Sequence, residues 1–136
     1  MRKKGFLQLA FLAVALFLAL PVVAQNESIV TLAGNAYITS GRGASIDEGN
    51  CAIRDWNDKE TVISFYFRVK EGGNMNIALQ ARGNSSIEVA LLGKKKKVTL
   101  NSDALSRVEL GTFKVKNPGY IKMDIRGIKI NKGSNF

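Results

Sequence analysis

The chain has 136 residues, enough for one modest domain, and carries 20 Lys and Arg against 11 Asp and Glu for a net charge of +9. It contains no histidine and one cysteine, Cys51. These counts exclude an intramolecular disulfide, imidazole acid–base catalysis, Ser-His-Asp and Cys-His machinery, and histidine metal sites.

The chain opens MRKKGFLQLAFLAVALFLALPVVAQ. Arg2, Lys3 and Lys4 give a positive start, Phe6 to Leu20 is an almost unbroken apolar run, and Val22-Val23-Ala24 supplies small residues. This is the pattern of a helical secretory signal peptide, residues 1–24, cut after Ala24. A retained membrane anchor is the alternative, but the run is short for a span of about 20 residues and polar sequence follows at once. No cysteine stands at the cut, which argues against a lipid anchor. The expectation is a secreted or periplasmic protein with one domain, residues 25–136, and no membrane attachment after cleavage. Its charge falls to +6, because the leader holds three basic residues and no acid. In an exported protein this excess argues for solubility, the bacterial envelope or anionic glycans, and against nucleic acid. Cys51 lacks an activating histidine and reads as a half-buried structural residue.

From there the apolar pattern has a period of two, the signature of strands. Ile29–Leu32 and Ala36–Thr39 are short candidates, and Ser40–Glu60 reads as loop. Thr61–Lys70 is a clear strand with Ile63, Phe65, Phe67 and Val69 on one face and Val62, Ser64, Tyr66 and Arg68 on the other. Glu71-Gly72-Gly73 turns the chain into Asn74–Arg82, with Met75, Ile77, Leu79 and Ala81 inward. Gly83-Asn84 predicts another turn, before Ser86–Leu92. Lys95–Leu100 follows, then a polar connection over Asn101–Ser106, with room for one helical turn. Val108–Lys116 and Tyr120–Ile128 end the series, joined by the turn Asn117-Pro118-Gly119. About eight short strands with one apolar face each predict an all-β fold, an antiparallel β-sandwich. Periodicity alone leaves an up-and-down barrel open.

The sequence also echoes itself. FRVKEGGNMNIAL (Phe67 to Leu79) and FKVKNPGYIKMDI (Phe113 to Ile125) align without a gap, and the two read as equivalent hairpins.

The stretches GNAYITSG, DWNDKETVISFYFRV, SSIEVALLGKKKKVTL and GTFKVKNPGYIKMDIRG, in this order and spacing, resemble the domain-of-unknown-function family 5077 of secreted Bacteroidota-type proteins. The resemblance runs from about Val30 to Phe136. It implies a jelly-roll, galactose-binding-like sandwich of the carbohydrate-binding-module kind. In that family the domain usually precedes a larger one, family 3472, which is absent here and would be a downstream partner. The family has no established catalytic residues to transfer.

The resemblance implies a polysaccharide or other glycan as partner, and the candidate site residues follow from that. Trp56 lies in a polar loop and is either a ring on which a sugar stacks or a plug closing one end of the core. Asp47, Asp55 and Asp58, with Glu48 and Glu60, make this loop acidic. They are either a structural calcium site, which needs six to eight oxygens, or solvated loop carboxylates without EF-hand spacing. Lys94–Lys97 is a polyanion patch or a guard against edge-to-edge aggregation. Tyr66, Arg68, Asn74, Asn76, Gln80, Tyr120, Lys122, Asp124 and Arg126 all point away from the core if the alternation holds. A glycosidase would need two close carboxylates, which sequence cannot place. The chain therefore reads as a non-enzymatic carbohydrate-binding accessory domain, with a structural or protein-interaction module packing on a downstream domain as the alternative.

Overall fold

The computed structural model describes residues 27–32 and 34–131; the expected signal peptide, residues 1–24, lies outside them. Seven strands form: β1 (Ala36–Ser40), β2 (Ser45–Asp47), β3 (Ala52–Arg54), β4 (Val62–Val69), β5 (Gly73–Leu91), β6 (Lys94–Val115) and β7 (Gly119–Lys129). The large sheet has the order β1-β4-β7-β5-β6, every pair antiparallel, and β2 and β3 form a separate two-stranded flap. Because β1 and β6 are both open edges, the sheet does not close into a barrel.

Two strands are far longer than expected. β5 runs for 19 residues and β6 for 22, paired with one another from Gly73↔Val115 to Leu91↔Lys94. Only the last part of β5, Ser86–Leu91, also pairs with β7. The rest of β5 and the C-terminal half of β6 leave β7 and cover the sheet as a second layer. The ends of β6 show the fold-back: the Lys96 ammonium lies 4.9 Å from the centre of the Phe113 ring. An extended strand would separate those two positions by about 56 Å, at about 3.3 Å per residue. The result is an antiparallel β-sandwich of jelly-roll type.

The predicted turn at Gly83-Asn84 is therefore a bend within β5. The pairing slips between Ala81 and Gly83, which face Ser106 and Ser102. Asp103, Ala104 and Leu105 have no partner there and bulge outward, Leu105 being 62% exposed. A bulge twists and bends a strand without reversing it. The expected connection at Asn101–Ser106 is this bulge rather than a break or a helical turn. Ile29–Leu32 forms no strand: the Leu32 carbonyl accepts from the amides of Asn35 and Ala36, turning the chain straight into β1. The expected loop at Ser40–Glu60 contains β2 and β3.

The alternation holds where it is clearest. Ile63 and Phe65 on β4, and Ile121, Met123 and Ile125 on β7, are buried with Ile87, Val89 and Leu91 of β5. Leu100, Leu110, Phe113 and Val115 of β6 complete the cluster from both halves of that strand. Each such large apolar side chain contributes about 1.5–3 kcal/mol. With one cysteine, no intramolecular disulfide adds to this burial.

The repeated segments are equivalent, but neither is a hairpin. β4 pairs with β1 and β7, not β5, and β6 pairs with β5, not β7. Both segments are crossovers from one layer to the other. Adding 46 to Phe67 and Val69 gives Phe113 and Val115, and the same shift takes Gly73 to Gly119. Val69↔Gly119 and Phe67↔Ile121 in the first layer become Val115↔Gly73 and Phe113↔Met75 in the second. The layers are thus related by an approximate twofold that exchanges the two crossovers. Gly73 and Gly119 share φ values of 145° and 147°, and a methyl group placed on either would meet nothing within 4 Å. Alanine at either position meets only backbone strain, about 1–3 kcal/mol. Gly73→Ala and Gly119→Ala should cost the same in urea unfolding; a free substitution at one and a disruptive one at the other would refute the equivalence.

Candidate functional site

Since odd-numbered residues of β4 and β7 fill the core, their even-numbered neighbours must share the outer face of the large sheet. The register sets them side by side: Ser64 opposite Asp124, Tyr66 opposite Lys122, Arg68 opposite Tyr120. β1 adds Tyr37 opposite Ser64, and β5 adds Glu88 opposite Arg126 and Ala90 opposite Asp124. β6 extends the rows with Lys97 opposite Glu88 and Lys95 opposite Ala90. Of the expected ligand residues, Tyr66, Arg68, Tyr120, Lys122, Asp124 and Arg126 therefore lie on one surface. Asn74, Asn76 and Gln80 do not join them. They sit on the part of β5 that pairs only with β6, opposite Lys114, Thr112 and Arg107 in the second layer.

Three tyrosines mark the face. Tyr120 is 82% exposed, Tyr37 and Tyr66 are partly exposed, and the last two meet edge to face with centroids 5.8 Å apart. The Tyr37 hydroxyl donates to the Gly34 carbonyl at 3.0 Å, which fixes that ring at the edge of the sheet.

The carboxylates of the face are tied down. Ser64 is fully buried; its hydroxyl donates to Asp124 Oδ1 at 2.5 Å and lies 2.7 Å from the Thr39 hydroxyl. Lys122 Nζ donates to Asp124 at 3.0 Å, and this bond raises the Lys122 pKa. Glu88 Oε1 accepts from Lys95 Nζ at 3.2 Å and Arg126 Nε at 2.9 Å. The Lys95 bond first, and Arg126 with it, hold the Glu88 carboxyl below its ordinary value of 4.5 despite partial desolvation. A depressed folded pKa gives stabilisation that is complete above the ordinary value and lost as pH falls through the folded one. Glu88→Gln should lower Tm at neutral pH, and its curve should meet the wild-type curve in acid. A gap that stays constant with pH would contradict this role.

Beside these rows, where β5 turns into β6, lies a shallow depression of about 240 Å³. Ala90, Leu92, Lys94, Lys95, Lys122 and Asp124 line it.

The acidic loop does something else. Trp56 is 1% exposed, so its ring is a plug in the core and not a surface on which a sugar can stack. Its indole N–H donates to the Asp58 carbonyl at 2.8 Å. The Asp58 carboxylate accepts from the Glu60 amide at 3.0 Å and the Thr61 hydroxyl at 3.2 Å. Asp47 is engaged elsewhere, by the Asn50 amide at 3.0 Å, the Asn50 side chain at 2.8 Å and Arg54 at 3.0 Å. The Asn50 bonds, with Arg54, lower its pKa. Asp55 faces the Ser45 hydroxyl at 3.4 Å. Asp47, Asp55 and Asp58 therefore do not converge as a calcium site: among the described residues no three His, Cys, Asp or Glu side chains are grouped to hold a metal. Short-range hydrogen bonding to the loop's own backbone uses these carboxylates one by one. Cys51 is exposed, not half-buried, in the β2–β3 turn with φ 49°.

Tyr37 and Glu88 belong to the face but are absent from the sequence-based candidates, and Lys95 enters them only within the Lys94–Lys97 run. Alternation in AYITS and IEVAL marks Tyr37 and Glu88 as outward, yet only strand order shows that they border β4 and β7.

The fold and this surface define a two-layer β-sandwich that presents an open, aromatic and cationic sheet face. Residues 30–136 match the model of DUF5077, a domain of unknown function, and the chain belongs to that family. Among solved structures it is similar to the crystal structure of the Podospora anserina GH26-CBM35 β-(1,4)-mannanase, with a TM-score of 0.53 and 11% identity. The match covers 76% of this chain and 28% of that one, and at this identity the likeness is one of fold. No curated protein matches the sequence.

Proposed function

We propose that this domain is a non-catalytic, glycan-binding accessory module of an exported protein, and that the outer face of the large sheet is its binding surface. The observation that carries the reading is the grouping of Tyr37, Tyr66 and Tyr120 with Arg68, Lys122 and Asp124 on one exposed face. Tyrosine offers a rigid apolar ring for the less polar side of a pyranose, with a hydroxyl at its tip, while the charged groups pair with sugar hydroxyls. The mannanase of similar fold is named GH26-CBM35, and the matched share of 28% fits an accessory unit of such an enzyme. The apolar leader at residues 1–24 supports export.

The test is a titration of the purified protein against a panel of neutral and acidic polysaccharides. Tyr120→Ala should weaken binding roughly tenfold. Because that ring is 82% exposed, stability should stay within about 0.5 kcal/mol. Binding to none of the panel would end the reading. The alternative, a module that packs on a downstream domain, expects Tyr120→Ala to alter association with that domain and no glycan binding at all.

A further inference from the structure

The charges on the outer face do not balance, and the imbalance specifies a ligand. Both of its carboxylates are committed, Glu88 to Lys95 and Arg126, Asp124 to Lys122 and Ser64. Among the described residues Arg68, Lys95, Lys97, Lys122 and Arg126 share the face with them. Arg68 and Lys97 form no ion pair within the described residues. Lys94 adds a further charge at the rim of the depression. Lys97 lies opposite Glu88 on the edge strand, and the other two of these cations outside ion pairs within the described residues, Arg68 and Lys94, mark two places. One is Arg68, directly across from the exposed ring of Tyr120 and two residues from Tyr66. The other is the depression, lined by Lys94, Lys95 and Lys122 together with the small side chain of Ala90. Asp124, the one acid in that lining, is neutralised by Lys122 and has a side chain only 34% exposed.

Building on the glycan-binding reading above, we infer that the ligand is an anionic polysaccharide, with acidic groups seated in the Ala90 depression and on Arg68 and sugar rings against Tyr66 and Tyr120. Ala90 and Tyr66 lie on strands separated by β7, about 10 Å apart at two strand spacings, and Lys122, which lines the depression, lies opposite Tyr66. An extended chain can run from the depression past Lys122 to Tyr66, Tyr120 and Arg68. An uncommitted guanidinium suits such a ligand, because its planar fork binds a carboxylate or sulfate through two parallel bonds. The approximate twofold supplies an internal control. It relates Arg68 to Lys114 and Tyr120 to Asn74, so the corresponding face of the second layer has a cation but lacks the aromatic ring.

The test measures binding of the purified protein to polygalacturonate and alginate, to neutral mannan and xylan, and to vesicles of phosphatidylglycerol. Acidic chains should bind at least about tenfold more tightly than neutral ones, with affinity falling as salt rises. Arg68→Ala should reduce that affinity about tenfold, and so should Ala90→Leu, which fills the depression without changing charge. Lys114→Ala should leave it unchanged. Thermal unfolding of each variant separates lost binding from lost folding. Neutral glycans bound as tightly as acidic ones, with Arg68→Ala silent, would overturn the anionic ligand and keep the glycan-binding reading. Binding to no polysaccharide would overturn both, and binding to vesicles alone would replace the ligand with a lipid surface. Equal losses from Arg68→Ala and Lys114→Ala would reduce the effect to net charge and overturn the assigned site.

Discussion

Trp56→Ala should cost about 3–5 kcal/mol, the range for truncating a fully buried indole. A domain of this size has only about 5–15 kcal/mol of stability in total, so this one change leaves it marginal. Trp56, between β3 and β4 in the chain, is the largest fully buried side chain among the described residues, and its loss opens a void in the core. Its indole bond to Asp58 is lost too, loosening a connected set of contacts: Asp58 holds Thr61, the Thr61 hydroxyl accepts from the Gly43 amide, and Asn57 donates to the Gly43 carbonyl. These groups are close enough to couple, so their losses will not add independently. Thermal unfolding followed by circular dichroism should show Tm lowered by roughly 15 °C or more. Trp56→Phe, which keeps most of the apolar volume, should recover much of that. A shift of only a few degrees in the alanine variant, together with loss of glycan binding, would assign Trp56 the sugar-stacking role that the sequence left open beside the core plug.

The two readings of Trp56 show where sequence stops informing. Trp56 is flanked by Asp55, Asn57 and Asp58, a setting compatible with an exposed ring or with a plug. The loop folds so that the same polar groups satisfy its backbone while the ring turns inward. The alternation of β4 and β7 was legible because each residue's face depends only on its own strand. Thus Tyr66, Arg68, Tyr120 and Lys122 could be named as outward beforehand. Strand length and partnership were not legible, since both depend on distant segments. Gly83-Asn84 has the composition of a turn, but the slip against Ser102–Ser106 makes it a bend. Phe67–Leu79 looks like a hairpin from its turn and period, and only the pairing of β4 with β7 identifies a crossover. For the same reason Asn74, Asn76 and Gln80 read as outward from their own strand, but the layer they face does not follow from it.

Phe113→Ala should be the second most damaging single change, at about 3–5 kcal/mol, while its counterpart Phe67→Ala should cost about half as much. The approximate twofold gives these residues the same place in the two crossovers, so a difference must come from what covers them. Phe113 is completely buried and Phe67 only partly. Lys96, opposite the buried Val89 near the start of β6, adds cover: its ammonium lies over the Phe113 ring, 4.9 Å from the centroid, and its outer carbons pass beside Gly111. β4 has no long strand before it to return such a side chain over Phe67. An inward lysine on an edge strand has a second use, since it makes pairing with another sheet edge unfavourable. The contact therefore combines packing and a cation–π attraction with protection of the edge. Chemical denaturation of the two alanine variants tests the asymmetry, and equal losses would show that Lys96 provides no cover. Lys96→Met, which keeps the stem and removes the charge, should leave monomer stability within about 1 kcal/mol, because burial of the ring is retained. The same variant should aggregate more readily at high concentration, visible by light scattering, because the edge of β6 loses the charge that opposes strand addition.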